Sequence, residues 1–114
     1  MDDDLAISAL AALAQKDRLA TFRLLVSAGE QGLPSGQIAE RLNIQPTRMS
    51  FHLSALERAG LLRTHRDGRR IFYAVSYAVM KDLLEFLTKD CCSGHPEICC
   101  DLGPQHTETM ATRL

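Results

Sequence analysis

Between Pro46 and Gly60 the chain can form one helix and little else, and what flanks that helix narrows the fold further. Proline suits the first helical position, where its missing N–H costs nothing, and glycine is a common stop. Within the stretch, Met49, Leu53 and Leu56 follow i, i+4, i+7 spacing and define a buried face. Thr47, Phe51, Ser54 and Arg58 fall opposite, with Arg48 and Ser50 at the flanks, so the outward face is polar and cationic. Upstream, Pro34-Ser35 opens a short helix carrying Ile38, Ala39 and Leu42, with Asn43 in its C-terminal turn. Downstream, Leu61 to His65 and Arg70 to Val75 read as two short strands around Arg66-Asp67-Gly68-Arg69, where Asp-Gly is a strong hairpin signal.

Three more helices complete the pattern. Leu5, Ile7, Leu10 and Leu13, with alanines between them, predict a first helix from about Asp4 to Gln15, preceded by aspartates that suit the positive end of its dipole. Its polar surface is thin, so it is expected to pack on both sides, with a second subunit the simplest supplier. Asp17 is placed to cap a second helix in which Leu19, Phe22, Leu25 and Val26 recur, ended by Gly29. A last helix spans about Tyr77 to Thr88, with Met80, Leu83, Leu84 and Leu87 as its stripe. From Asp90 on, Gly, Pro and polar residues predict a loosely ordered tail beyond Asp101. The expected division is a folded domain over residues 1–90 and a cysteine-bearing segment over 91–114.

A chain of 114 residues, 46% of them apolar, fits one small domain that a partner subunit would help to stabilise. It holds no long apolar run and starts Met1-Asp2-Asp3-Asp4, which supports neither a membrane span nor a signal peptide and predicts a cytoplasmic protein. The formal net charge of -1 hides a division: between positions 41 and 70, seven arginines face only Glu57 and Asp67. A basic central segment with acidic flanks is the footprint of a face that meets phosphates. There is no Cys-x-x-Cys pair, no phosphate-cradling glycine loop and no nucleophile–base pair, so an enzyme is not expected.

Short helix, tight turn, longer helix and arginine-tipped hairpin, in that order, make a winged helix-turn-helix. The predicted fold is mainly α with a small β-hairpin. In such a fold the longer helix can enter the major groove of double-stranded DNA, the expected partner. Arg48 can pair with a guanine edge or a phosphate, Gln45, Thr47, Ser50 and Ser54 can bond bases or phosphates, and Phe51 can meet a thymine methyl unless it packs on a neighbouring loop. Arg66, Arg69 and Arg70 supply the salt-sensitive, sequence-independent term. His52, at the edge of the buried face, reads as a core-boundary histidine satisfied by a hydrogen bond. His65, in the first hairpin strand, reads as structural or phosphate-facing.

Two segments carry a resemblance. Ala12-Leu13-Ala14-Gln15-Lys16-Asp17-Arg18-Leu19, within Ala9 to Val26, resembles the opening signature of ArsR/SmtB-type winged-helix repressors. Ser50-Phe51-His52-Leu53-Ser54-Ala55-Leu56-Glu57-Arg58-Ala59-Gly60-Leu61 resembles that family's recognition helix and the start of its wing. The likeness covers roughly Leu5 to Leu87. It implies a homodimer, joined through the first and last helices, that represses an operator and releases it when a metal ion binds.

All four cysteines lie in two adjacent pairs, Cys91-Cys92 and Cys99-Cys100, with Gly94 and Pro96 between them to fold the second pair back. Clustered thiolates suit a soft ion, and reduced cytosolic thiols favour metal or redox chemistry over a structural disulfide. The resemblance sharpens this: the short third helix lacks the Cys-x-Cys site of some arsenic repressors, and the last helix lacks the histidines of zinc sensors. What remains is similar to arsenic-responsive members in which an adjacent pair follows the last helix and a third cysteine lies downstream. On that likeness trivalent arsenic, with antimony as its relative, is held by Cys91, Cys92 and either Cys99 or Cys100. Zinc or cadmium, and a thiol redox switch, remain the alternatives. Cysteines that follow a helix C-terminus lack the positive field that activates reactive thiols, which weighs against the redox switch.

Overall fold

The computed structural model describes residues 1–89, so Cys91, Cys92, Cys99 and Cys100 and the expected boundary at 90/91 lie outside the described residues. Five helices and three strands follow in the order α1 (Asp3–Leu13), α2 (Lys16–Ala28), β1 (Leu33–Pro34), α3 (Ser35–Leu42), α4 (Pro46–Arg58), β2 (Leu62–Asp67), β3 (Arg70–Val75) and α5 (Tyr77–Thr88). One compact unit runs from Met1 to Leu83, and the end of α5 from Leu84 belongs to a second.

The turn between α3 and α4 is made by a left-handed residue. Asn43 adopts φ 54°, its N–H reaches back to Glu40, and the Ile44 N–H bonds the Ala39 carbonyl at 3.0 Å. This is the Schellman closure, in which the apolar residue after the left-handed one turns back onto the helix; Ile44 is buried accordingly. The end of α4 repeats the device. Gly60 takes φ +83°, its N–H bonds the Glu57 carbonyl, and the Leu61 N–H bonds the Leu56 carbonyl at 3.0 Å, placing a fully buried Leu61 just before β2.

The sheet has the order β1-β3-β2, all antiparallel. Two residues of β1 gave no alternation to read, and the sequence reading missed the strand. It forms because Gly32, at φ +73°, lets the chain pass so close to β3 that a Cβ there would collide with the Tyr73 carbonyl. In the hairpin Asp67 pairs with Arg70, leaving Gly68-Arg69 as the two-residue loop. Gly68 alone of these two has positive φ, the type II′ arrangement that matches strand twist. β2 therefore starts and ends later than expected, running on to Asp67.

The core is built by Leu25 of α2, Ile38 of α3, Met49, Leu53 and Leu56 of α4, and Leu61, Leu62, Ala74 and Val75 around the sheet. α1 corrects the expected stripe. Ala6, Ala9 and Ala12 are its buried residues, while Leu5, Ile7 and Leu10 are exposed. Small residues allow α1 to approach α2 and α4 closely, and the larger side chains are left on the opposite side. The caps also differ from expectation. Asp2 caps α1 through the Leu5 N–H at 2.8 Å, and Gln15, not Asp17, caps α2 through the Arg18 N–H at 2.9 Å. Arg18 in turn donates to the Ala12 carbonyl at 2.6 Å, satisfying an orphan acceptor at the end of α1. Among the described residues no helix is long and apolar enough to cross a membrane.

Candidate nucleic-acid interface

One side of α4 fills the core and the other faces solvent. Met49, His52, Leu53 and Leu56 are buried. Gln45, Thr47, Arg48, Ser50, Phe51 and Ser54 are exposed, and Phe51 leaves 71% of its surface in contact with water. Phe51 is thus an exposed aromatic ring on a helix face otherwise made of hydroxyl, amide and guanidinium groups; the alternative, that it packs on a neighbouring loop, does not hold. Pro46 at the first helical position and the absence of a side-chain cap from Gln45 leave the N-terminal turn open. The free N–H groups there, with the positive end of the dipole, favour a phosphate.

Arg48 is not a loose surface cation. Its Nη2 donates to Asp17 Oδ2 of α2 at 2.7 Å, although its side chain remains 58% exposed. His52, one turn further along α4, lies behind the same carboxylate, with Nε2 3.6 Å from Oδ2. That separation is too long for a hydrogen bond, and neither ring nitrogen has any other partner. His52 is thus at the core boundary as expected but is not satisfied by a hydrogen bond. α2 and α4 meet beside this group through Thr21, which donates to the Asp17 carbonyl at 2.7 Å and approaches the Met49 sulfur at 3.9 Å.

The wing is held differently. Arg66, Arg69 and Arg70 are all exposed, and the Arg70 guanidinium lies over the Phe72 ring, 5.6 Å from its centroid. On β2 the His65 ring stacks against Phe72 with centroids 5.3 Å apart. His65 Nε2 also lies 2.9 Å from the Gln31 carbonyl, and Arg63 Nη2 donates to the Glu30 carbonyl at 2.9 Å. Two of the basic side chains on β2 therefore tie the wing to the loop after α2, which makes His65 structural and removes Arg63 from the free cations. Asp17 and Phe72 were the functional neighbours that sequence reasoning missed. The signal for Asp17 was its position one and two turns before Thr21 and Leu25, on the core-facing side of α2.

A helix-turn-helix domain model matches residues 13–65, the span from the end of α1 into the wing. An uncharacterised HTH-type transcriptional regulator of Bacillus subtilis, YceK, is 37% identical over 68 residues, which span 60% of this chain and 67% of that protein. The chain belongs to the helix-turn-helix transcriptional regulators. The regulator is also similar to HlyU of Vibrio cholerae, whose structure shares 29% identity at a TM-score of 0.62, covering 81% of this chain and 99% of that one. An ArsR-like transcriptional regulator from Rhodococcus superposes at a TM-score of 0.71 with 23% identity, over 85% of this chain and 89% of its own, and shows the shared winged fold.

Proposed function

We propose that this regulator is a cytoplasmic homodimeric repressor of the ArsR type, bound to a two-fold operator through α4 and the wing and released when trivalent arsenic is captured by its cysteines. The exposed face of α4, with Phe51 and Arg48 beside an arginine-bearing wing, is the observation that carries the DNA-binding part. Gln45, Thr47, Ser50 and Ser54 complete the base- and phosphate-reading set, and Arg66, Arg69 and Arg70 contribute the counterion-releasing term. Leu5, Ile7 and Leu10 on α1, and separately Leu84 and Leu87 on α5, are exposed apolar side chains of the kind a second subunit covers. In such a dimer the two α4 helices enter successive major grooves about one helical turn, ~34 Å, apart.

The inducer part rests on the cysteine spacing and the family likeness. Cys91 and Cys92 come three and four positions after the last residue of α5 and take two of the three arsenic bonds; Cys99 or Cys100 takes the third. Capture at the end of a dimer helix changes the spacing of the two α4 helices, and linkage requires that the ion bind the DNA-free form more tightly. The test uses an operator duplex selected from random-sequence DNA and the purified full chain. Arsenite is expected to dissociate the complex from wild type and to spare a Cys91→Ser/Cys92→Ser variant. Equal dissociation of both sinks the sensor model, while release by zinc, cadmium or a thiol oxidant alone transfers the role to one of those inputs. Antimonite release alongside arsenite is expected from shared thiophilicity. Separate Cys99→Ser and Cys100→Ser variants assign the third sulfur.

A further inference from the structure

We propose that Asp17 is a positioning residue for operator recognition, holding the Arg48 guanidinium at the first turn of α4 so that Arg48 meets the DNA with its rotamer already chosen. The inference rests on the reading of α4 as the helix that enters the groove. The pair spans 31 positions of sequence and joins two helices. It uses one N–H of the guanidinium, and among the described residues the others have no partner, so the donor edge that a guanine or phosphate needs stays available. At 58% exposure for Arg48, such an ion pair adds little to folding stability, and its worth has to be sought in what it orients.

Asp17 itself is held on a rigid support. It lies in the first turn of α2, where the helix dipole favours its charge, and its backbone carbonyl accepts the Thr21 hydroxyl. The buried His52 ring blocks the core side of the carboxylate, at 3.6 Å from the same oxygen that Arg48 uses. A buried ring with both nitrogens unpartnered is uncommon enough to require a reason. Exposure rises from the His52 ring through the Asp17 carboxylate to the Arg48 guanidinium, and among the described ion pairs Arg48 is the carboxylate's one solvent-exposed partner. A long arginine side chain fixed in this way gives up less freedom when it binds.

The experiment is a double-mutant cycle on the full chain, titrating the selected operator duplex and a scrambled duplex with wild type, Asp17→Asn, Arg48→Ala and the double variant. Asp17→Asn is expected to weaken operator binding about tenfold, the scale set by releasing one arginine's rotamers. Its affinity for the scrambled duplex is expected to hold or rise, because an acidic charge beside the DNA has been removed. The operator loss is expected to vanish when Arg48 is already alanine, and Asp17→Glu is expected to restore part of it. Tighter binding of Asp17→Asn to both duplexes would overturn the proposal, since the carboxylate would then merely withhold Arg48. An equal loss in both Arg48 backgrounds, or a loss that tracks a fall in melting temperature, overturns it too. Should Arg48→Ala leave operator affinity unchanged, the assignment of α4 fails as well, a result separable from failure of the Asp17 coupling alone.

Discussion

α4 and the wing both present arginine to solvent, and they anchor it by opposite means. Arg48 is anchored from a distance, by a carboxylate on another helix, in a geometry fixed by how α2 and α4 pack. Arg70 is anchored locally, by a ring two residues along its own strand, while Arg69 lies in the two-residue loop and Arg66 just before it on β2. A cation held by a tertiary contact can be aimed at one base edge; a cation on a hairpin tip finds whichever phosphate is near. On the proposed reading the two regions divide the work, α4 supplying discrimination and the wing supplying affinity that falls with salt.

The largest effect on this comparison comes from removing the support under α4. Leu53 is fully buried at the centre of the helix's inner face, and Leu53→Ala is expected to cost about 2–5 kcal/mol in urea unfolding. Discrimination between operator and scrambled duplex should collapse with it, because the Asp17–Arg48 alignment depends on the α2–α4 contact. A variant that loses this stability and keeps full discrimination would show that Arg48 is not aimed by packing.

The wing has its own support, and Gly32→Ala attacks it. Positive φ disfavours any side chain, and here the added Cβ also meets the Tyr73 carbonyl and the Ala74 side chain, so β1 must part from β3. The expected cost is about 2–3 kcal/mol, read by thermal unfolding. If the two regions are independent, overall DNA affinity should fall while the ratio of operator to scrambled binding is retained. A drop in that ratio would mean that the wing also sets the pose of α4.

How far the sequence could reveal this division depends on the range of the interactions. α3, α4 and the hairpin were legible because their determinants are local: Pro46 and Gly60 mark the ends, and Met49, Leu53 and Leu56 mark the inner face. α1 misled because the leucine stripe is conspicuous, whereas the close helix approach that buries Ala6, Ala9 and Ala12 depends on what packs there. β1 was invisible for a related reason, its pairing being decided by Gly32 against a strand some forty positions later. Asp17 was read as a cap because helix starts favour aspartate, but Gln15 already filled that place and left the carboxylate free to reach α4. His52 could be placed at the core boundary by periodicity; that it lacks a hydrogen bond could not, since partners come from tertiary structure. The exposed arginines were legible as a group by charge, and only the structure separates Arg63, tied to the Glu30 carbonyl, and Arg48, paired with Asp17, from the others.

The smallest expected effect tests whether the wing's arginines are aimed at all. Phe72→Leu keeps an apolar side chain at that position but removes the ring under Arg70 and beside His65. An exposed cation–π contact is worth about 0.5–1 kcal/mol, so stability and affinity should each shift by no more than that. The charge on Arg70 is unchanged, and the slope of log affinity against log salt should stay where it was. Arg69→Ala is the matched control: it removes a phosphate-neutralising charge, and the slope should become shallower by about one unit with no change in sequence preference. If Phe72→Leu altered sequence preference while Arg69→Ala left the slope untouched, the wing would be reading bases from a fixed pose. The contrast with α4 would then disappear, because both regions would aim their arginines through a built contact.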